Sequence, residues 1–363
     1  MSPSPGIIWE RLFRVSLEFI TDLQRWQQLI DDLPDFCGKI YYQPAYYSAF
    51  EINGDGQAAA LYFTEGETEI FYPFLLRAIP AQFGGEGYFD MQSAYGYGGP
   101  AIFDGTAAAV ARFSDEFAAW ADQANIVAEF IRFNPLYHSS YLANIYELEL
   151  NRITVCVDLQ DDFSGILAQS TDARQRNYRK ALKSGLQFVT LTDFRLFTDM
   201  YKKAMHRLAA ASYYYFSPQH FAALAALPQE SRSFVGVHDK TGRFLATGIF
   251  LFDEMSAHYH LGATSDAGRE CQPSAFMMFE AAKAAAQAGR SLLHLGGGLS
   301  LAEDDGLFRF KTGFSQNHHQ FFIARRIHRA QLYQQISQAW QAETGQKPGI
   351  LLHYHEGIQH ADV

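Results

Sequence analysis

The sequence predicts an α/β protein in which one mixed unit of strands and helices occurs twice. In the first half, apolar strands at residues 58–63 and 69–76 form a hairpin pattern, and a helix and a buried strand follow. In the second half the same order returns, beginning with strands at residues 233–237 and 244–252. A repeated order of hairpin, strand, helix, strand and small-residue turn indicates two similar mixed α/β domains.

The composition supports two globular domains. The chain has 363 residues, of which 48% are hydrophobic and 19% are charged, whereas disordered chains are poorer in apolar residues. At roughly 150 residues per domain, this length accommodates two domains. We expect residues 1–150 and 151–330 to form them, with residues 331–363 as a terminal helix and tail.

Charge and cysteine content exclude several classes of protein. The formal net charge of −10 excludes a globally basic nucleic-acid binder, although a local basic patch is still allowed. Cys37, Cys156 and Cys271 lie far apart and form no CxxC pair. They therefore cannot make a disulfide framework or a zinc site by themselves, and we expect a reducing compartment.

The hydropathy pattern predicts a cytoplasmic protein. The first residues lack the basic stretch followed by an apolar stretch that marks a secretory signal. The longest apolar runs are shorter than the ~20 residues that a membrane helix needs. We therefore expect no integral membrane segment.

Hydrophobic periodicity locates the other elements of the two halves. A helix is predicted at residues 106–123, where apolar residues recur at helical spacing, and a buried strand at 126–133. In the second half, a strand at 257–263, an Ala-rich helix at 274–288 and a strand at 291–295 keep the same order.

A helical block separates the two repeats. Helices are expected at residues 162–169, 172–184, 193–211 and 219–226, with a short strand at 189–191. Ser217 and Pro218 are typical of the start of a helix, and Asp193 is a candidate helix cap. A terminal helix at 331–342 precedes a polar tail, from residue 346, that we expect to be loosely ordered.

The helix at residues 172–184 carries a stripe of positive charge. At 3.6 residues per turn, four basic residues fall within an arc of roughly 100°. These are Arg176, Arg179, Lys180 and Lys183. Arg174 lies off the stripe, and Tyr178 points the other way. Such a face either binds the phosphates of a nucleotide or an RNA backbone, or is a solvated surface paired with nearby carboxylates.

Three glycines follow the last strand of the second repeat. Gly296, Gly297 and Gly298 allow the backbone to approach a ligand closely or to turn sharply. The segment at 307–314 then places Lys311 among aromatic residues, in a pattern that we interpret as a strand. Lys311 is either a functional lysine beside the glycine turn or a surface lysine on an amphipathic strand.

Other chemical motifs give little. The sequence contains no GxSxG, HExxH, GxxxxGK[ST] or GxGxxG pattern. His258 and His260 lie two residues apart on a predicted strand and would share one face, where His294 could complete a metal site. Histidines in the core or at a sheet edge explain the same pattern, and we predict no metal.

Several segments together resemble a known family. The string LGGGLSLAEDDGLFRFKTGF at residues 295–314 resembles the C-terminal signature of FemABX-like acyltransferases. In that signature a strand ends in glycines, an acidic loop follows, and an aromatic-Lys-x-Gly-Phe segment closes it. RQRNYRKALKSGL at 174–186 resembles the basic helix of the family, and YFSPQHFAAL at 215–224 resembles the helix after it. The resemblance covers roughly residues 167–325, and the first half only by element order and YGYGGP at 95–100.

The resemblance implies two tandem GNAT-like acyltransferase domains and a reaction. An amine acceptor attacks the carbonyl of an activated acyl donor, often an aminoacyl-tRNA ester, and an amide forms. The first-named members of the family build peptidoglycan bridges. Relatives act on other amines or use acyl-CoA.

The resemblance also implies roles for residues. The family motif places its functional lysine at Lys311, which would stabilise the tetrahedral oxyanion, with Phe310 packing against the acceptor or the donor ester. The basic helix and the glycine turn would bind the substrates. The predicted substrate-binding residues are Arg174, Arg176, Tyr178, Arg179, Lys180, Gly296, Gly297 and Gly298.

Two departures from the family pattern bear on the substrates. GNAT enzymes that use acyl-CoA usually carry Q/R-x-x-G-x-G/A after the fourth strand, so that backbone N–H groups hold the pyrophosphate. Residues 265–274 read SDAGRECQPS, with one glycine, which favours aminoacyl-tRNA over acyl-CoA as the donor. Residues 45–51, AYYSAFE, lack the basic residue that muropeptide-binding members tend to carry. We therefore expect the acceptor to be an amine-bearing small molecule or cell-envelope precursor, and we expect no cofactor besides the acyl donor.

Three functions are consistent with the sequence. The first is an acyltransferase or aminoacyltransferase of this group that acts on an amine, with tRNA as a candidate partner. The second keeps the GNAT-like domains but uses acyl-CoA. The third is a non-catalytic binding module on the same fold, because a fold does not fix a function.

Overall fold

The computed structural model describes residues 15–137, 139–268, 271–302 and 304–355. The chain forms two compact units. Unit 1 comprises, in its described part, Met1–Pro34, Tyr41–Leu150 and Phe322–Val363. Unit 2 comprises Asp35–Ile40 and the described part of Asn151–Phe321. Both units are mixed α/β structures, which confirms the predicted fold class.

Unit 1 is built on one mixed sheet. Its strands are β1 (Ser16–Ile20), β2 (Gln57–Glu65), β3 (Thr68–Ala78), β4 (Phe89–Gln92), β5 (Ala101–Phe103), β6 (Ile126–Arg132) and the second part of β13 (Asn317–Ile327). Its helices are α1 (Leu23–Asp32), α2 (Pro44–Ile52), α3 (Ala107–Gln123) and α10 (Ala330–Thr344). The strand order is β1-β2-β3-β4-β6-β13, and β5 pairs with β3. Strands β4 and β6 are parallel, and the other neighbours in this order are antiparallel.

Helix α3 covers the core of unit 1. Its N-terminus is capped by Thr106, whose hydroxyl accepts a hydrogen bond from the Ala109 N–H at 3.2 Å. Val110, Phe113 and Phe117 lie on one face of the helix and are fully buried among the apolar residues of the sheet. The predicted helix at 106–123 is therefore confirmed, and its apolar face is the one that the periodicity indicates.

Unit 2 repeats the mixed architecture. Its strands are β7 (Glu149–Asp158), β8 (Gln187–Thr190), β9 (Arg232–His238), β10 (Phe244–Phe252), β11 (Ser256–Thr264) and β12 (Leu292–Gly297), with the first part of β13. Its helices are α4 (Phe163–Ala168), α5 (Asp172–Lys183), α6 (Arg195–Arg207), α7 (Pro218–Ala225), α8 (Pro273–Gln287) and α9 (Gly306–Thr312). The strand order is β13-β7-β12-β11-β10-β9-β8, in which β11 and β12 are parallel.

The Ala-rich helix α8 forms the centre of the core of unit 2. Its small residues allow close packing, and Phe276, Met277 and Phe279 fill the space against the sheet. Helix α5 contacts α8, and Tyr178 of α5 lies 5.7 Å from Phe276 in a stacked arrangement, measured between ring centroids. Packing on α8 therefore fixes which face of α5 is buried.

The segment after the glycines differs from the prediction. Residues 307–314 were expected to be strand-like, but Gly306–Thr312 forms helix α9. The carboxylate of Asp305 accepts hydrogen bonds from the Leu307 and Phe308 N–H groups, both at 2.9 Å, and so caps the helix. A short run of aromatic and basic residues does not distinguish the 3.6-residue period of a helix from the two-residue period of a strand. The cap by Asp305 stabilises the helix.

Helix α6 is also shorter than expected. The prediction was residues 193–211, and the helix spans Arg195–Arg207. Asp193 binds the Arg195 N–H at 2.9 Å from outside the helix. At the other end, Ala209 has a φ of +46°, a left-handed conformation that ends the helix.

The C-terminal tail corrects another expectation. We expected the tail from residue 346 to be loosely ordered, and residues 346–350 are exposed and without regular structure. Tyr354, however, is fully buried and packs with Ile79, Val127 and Trp340 in unit 1. Residues 356–363 lie outside the described residues. The ring of His353 lies 4.6 Å from that of Trp340, between centroids. Residues 331–363, predicted as a separate terminal segment, are thus grouped with unit 1 in their described part.

Replacing Tyr354 with alanine should destabilise the protein by about 3 kcal/mol, because it leaves a cavity beside Trp340. The control is Ile350→Ala, since Ile350 is 54% exposed. Urea unfolding monitored by tryptophan fluorescence measures both. Equal and small changes for the two variants would contradict the packing described.

Candidate active site in unit 2

The three glycines at the end of β12, Gly296 to Gly298, occupy positions that disfavour a side chain. Gly296 has a φ of +75°, and the pairing of β12 with β7 shifts register between His294 and Gly296. A Cβ on Gly297 would lie 2.8 Å from the Ile153 carbonyl oxygen, and one on Gly298 would lie 2.7 Å from the Asp305 carboxylate. The close approach of backbone to its surroundings, expected from the sequence, therefore occurs here.

One carboxylate organises the turn that follows. Asp305 is 8% exposed, and its Oδ1 caps α9 as described above. Its Oδ2 accepts hydrogen bonds from the N–H groups of Leu299, at 2.5 Å, and Ser300, at 2.8 Å. These backbone hydrogen bonds lower the pKa of Asp305, so it is a carboxylate at neutral pH.

Lys311 lies at the end of α9, against the glycine turn. It is 7% exposed, and its Nζ donates a hydrogen bond to the Gly297 carbonyl oxygen at 2.7 Å. Burial and, to a lesser extent, Arg152 lower the pKa of Lys311 to about 7, and Asp305 acts in the opposite direction. Nη1 of Arg152, on β7, donates to the next carbonyl, that of Gly298, at 3.0 Å.

Phe310 is held beside Lys311 by an arginine from another helix. Nη2 of Arg174, on α5, donates to the Phe310 carbonyl oxygen at 3.2 Å. The guanidinium carbon of Arg174 lies 4.4 Å from the Phe310 ring centroid and 5.3 Å from that of Phe314. A Cβ on Gly313 would come within 2.7 Å of the Arg174 Nε, so the glycine leaves room for the arginine. Arg174 thus links α5 to α9.

The basic stripe of α5 has a different location. The four cations Arg176, Arg179, Lys180 and Lys183 are exposed, whereas Tyr178 and Ala181 are buried on the opposite side of the helix. In the part of the chain that the structure describes, none of the four forms an ion pair with a carboxylate. The structure therefore brings Arg174 to Phe310, the residue before Lys311, and places the stripe on the solvent face. A phosphate-binding role for the stripe is still a prediction.

Tyr178 is a core residue of unit 2. Its hydroxyl donates a hydrogen bond to Oε1 of Glu280 at 2.6 Å, and burial raises its pKa. Phe279 of α8 lies 5.1 Å from it, between ring centroids. These contacts anchor α5 to α8 and account for the tyrosine without a ligand; the substrate-binding role predicted for it is not tested by them.

Sequence reasoning missed Arg152 and Asp305 as parts of this site. Asp305 was visible as half of an acidic pair after the glycines, and the N-cap pattern Asp-Gly before an apolar run was the signal that could have identified it. Arg152 carries no local signal, because it lies in a strand about 160 residues before Lys311 and reaches the glycine turn by sheet pairing.

Buried histidines line the sheet next to the site. His258 and His294 are register partners on β11 and β12, and their ring centroids are 5.5 Å apart. Nε2 of His258 lies 2.8 Å from Oγ of Ser256. Burial lowers the pKa of His294 well below its usual range, and His258 and Lys311 act in the same direction. Within the described ranges, no three histidine, cysteine or acidic side chains are arranged to hold a metal ion.

Replacing Lys311 with methionine should increase the stability of the protein near pH 7. The folded-state pKa of about 7 is below the ordinary 10.5, so between these pH values the unfolded chain binds more protons. The wild-type free energy of unfolding should therefore rise with pH from 7 toward 10, by up to a few kcal/mol. The variant lacks this rise. Denaturant unfolding of both proteins at several pH values tests this prediction. It is wrong if the free energies of unfolding of the two proteins depend on pH in the same way.

Comparison with known proteins finds a domain model that matches the part of unit 2 containing this site. Residues 169–312 match the family described as acetyltransferase (GNAT) domain. This range holds the glycine turn, α5 and Lys311. No curated protein sequence matches the chain.

Among the residues described, no helix combines the length and the apolar character needed to cross a membrane.

Solved structures share the fold over most of the chain. FemX matches with a TM-score of 0.65 at 14% identity, covering 87% of this chain and 99% of FemX. L-PGS from Bacillus licheniformis matches with 0.53 at 12% identity, covering 84% and 92%. The C-terminal domain of a putative lysylphosphatidylglycerol synthetase from Agrobacterium fabrum matches with 0.51 at 14% identity, covering 84% and 91%. At these identities the likeness shows the fold. Residues 169–312 of unit 2 thus match a GNAT domain model, and the chain as a whole shares the fold of FemX.

Proposed function

We propose that the protein transfers an acyl or aminoacyl group from an activated donor to an amine, with Lys311 stabilising the tetrahedral oxyanion. The observation that carries this proposal is the buried Lys311 Nζ at the glycine turn after β12. Aminolysis of an ester or thioester passes through an oxyanion, and a preorganised donor in a dry site stabilises it far better than water does.

The hydrogen-bonding capacity of Lys311 fits this role. An ammonium group has three N–H donors, and one of them binds the Gly297 carbonyl oxygen. That bond fixes the direction of Nζ, so the remaining donors are held in place before a substrate arrives. Phe310 lies next to it in α9, and Arg174 constrains its ring, which gives a rigid apolar wall for a donor ester or an acceptor.

The donor is proposed to be an aminoacyl-tRNA ester. The exposed stripe of four cations on α5, in a chain of net charge −10, favours a donor rich in phosphate. The name of one structural neighbour, a lysylphosphatidylglycerol synthetase, also denotes transfer of an amino acid, although that name describes the neighbour.

The loop before α8 supports a tRNA ester over acyl-CoA. The Gly268 N–H donates to the Ser265 carbonyl oxygen at 3.0 Å, and the Cys271 N–H donates to the Gly268 carbonyl oxygen at 3.1 Å. These N–H groups are used within the loop instead of pointing toward a pyrophosphate. A Cβ on Gly268 would lie 2.5 Å from the Leu245 carbonyl oxygen, so this glycine serves packing against β10.

Replacing Lys311 with alanine should reduce transfer by about 100-fold or more, because an oxyanion donor is lost. The assay mixes the protein and a broad amine pool with either charged total tRNA or acetyl-CoA and detects new amides by mass spectrometry. The matched control is Arg309→Ala, since Arg309 is exposed on the same helix. Normal turnover of the Lys311 variant would remove the proposed role. Transfer from acetyl-CoA alone would replace the tRNA donor by acyl-CoA.

Reversing charge on the stripe should weaken binding of total tRNA in a salt-dependent way. The double variant Arg176→Glu/Lys180→Glu should lower affinity at low salt and flatten the dependence of affinity on salt concentration. Lys202→Glu/Lys203→Glu is the control, because these lysines are exposed on α6. If both double variants bind tRNA with equal affinity across a salt series, the stripe is an ordinary solvated surface.

A further inference from the structure

We propose that Lys311 is also the group that accepts the proton of the incoming amine, and that Arg152 is a positioning residue that keeps Lys311 neutral for this task. The inference rests on the proposed function, since it assigns a second role at the same site. An amine at neutral pH is mostly an ammonium ion and cannot attack a carbonyl until it loses a proton.

Lys311 is not paired with a carboxylate of the described residues. The acidic group that acts on it is Asp305, whose two oxygens are used by backbone N–H groups. Leu299 and Ser300 donate to one oxygen, and Leu307 and Phe308 donate to the other. Among the described residues Lys311 forms no ion pair. A buried ammonium without a counter-ion is unfavourable relative to the neutral amine.

Arg152 strengthens this preference. Its Nη1 and the Lys311 Nζ bind the carbonyl oxygens of two consecutive residues, Gly298 and Gly297. Both side chains thus bind the same glycine turn, and the positive charge of Arg152 acts on Lys311 there. A like charge nearby opposes protonation of Lys311.

The other groups around Lys311 do not reverse this balance. His294 of β12 is buried and neutral, because burial lowers its pKa, and His319 of β13 lies beside it. Arg174 of α5 binds the carbonyl oxygen of Phe310, the preceding residue of α9. Burial and Arg152 together bring the pKa of Lys311 to about 7, so both of its protonation states are populated at neutral pH.

The proton balance of the reaction is then closed. The acceptor R–NH3⁺ gives one proton to the neutral Lys311 and becomes R–NH2. The amine nitrogen forms the C–N bond, and the new Lys311 ammonium donates to the oxyanion. The ester or thioester bond then breaks, the leaving oxygen or sulfur takes the second proton from the former amine nitrogen, and Lys311 releases its proton to water. The products are the amide, the protonated leaving group and one proton.

The first test separates charge from proton transfer. Lys311→Arg keeps a cation for the oxyanion but cannot accept a proton at neutral pH. With the donor that supports transfer, charged total tRNA or acetyl-CoA, we expect kcat of this variant to fall by about 100-fold at pH 7. We expect the wild-type rate to rise with pH through about 7. A Lys311→Arg variant within twofold of wild type would overturn the inference and leave the oxyanion role intact.

The second test addresses Arg152. Arg152→Gln removes the charge but retains an N–H donor for the Gly298 carbonyl, so the turn keeps its hydrogen bond. We expect the midpoint of the pH–rate profile to move up by about one pH unit, with kcat restored at pH 9. A purely structural role would lower kcat equally at every pH, and that result would overturn the inference.

A third measurement needs no turnover. In protein labelled with ¹⁵N-lysine, the Nζ resonance of Lys311 is assigned by its loss in Lys311→Arg, and its shift is followed with pH. A titration midpoint near 7 that rises in Arg152→Gln supports the inference whichever donor the enzyme uses. A midpoint above about 10 in both proteins overturns it, even if transfer from a donor is established. Failure of every donor in the transfer assay counts against the proposed function instead.

Discussion

The candidate active site depends on the set of hydrogen bonds that converge on the Asp305 carboxylate. One of its oxygens ends the glycine turn after β12, and the other begins α9. A helix of seven residues is too short to be stable in isolation, so it depends on this cap and on the packing of its aromatic residues. Because Lys311 lies in that helix, the position of its amine against Gly297 follows from the Asp305 contacts.

Glu129, a buried acidic group in unit 1, has hydrogen-bond partners of a kind that Lys311 lacks among the described residues. Glu129 is fully buried, but the hydroxyls of Tyr72, at 2.6 Å, and Tyr146, at 3.1 Å, donate to it, and His328 lies 3.2 Å away. That carboxylate is well satisfied, as buried polar groups in a core are. Lys311 and the like-charged Arg152 instead bind the carbonyl oxygens of two neighbouring residues, Gly297 and Gly298. A buried basic group held beside a like charge lowers the stability of the fold, and such arrangements concentrate at functional sites.

Much of this fold could be predicted from the sequence, because in a long amphipathic segment the spacing of apolar residues indicates a helix or a strand. The helices around Phe113 and Phe276 are of this kind, and so is the order of strands in each repeat. The segment around Lys311 is too short for the spacing of its apolar residues to distinguish a helix from a strand. It forms a helix because Asp305 caps its N-terminus. The position of Lys311 beside the glycines was predictable from the family signature.

The contacts that surround Lys311 were less accessible to sequence reasoning. Arg174 was correctly placed off the basic stripe, but which neighbour its long side chain reaches depends on how α5 packs on α8. Arg152 comes from a strand that is distant in sequence, and its meeting with Gly298 is a property of the sheet. The burial of Tyr354 likewise depends on its packing against Trp340. The local sequence pattern does not show that the two residues are in contact.

The opposite orientation of the two faces of α5 has a consequence for substrate size. Arg174 reaches inward to Phe310, whereas the four stripe cations are on the far side of the same helix, roughly a helix diameter of about 10 Å away. A ligand that contacts the stripe and also presents its carbonyl to Lys311 must extend around the helix. A single phosphate group next to the reacting carbon is too compact for this, whereas a long polyanion with its reactive ester at one end has the necessary reach.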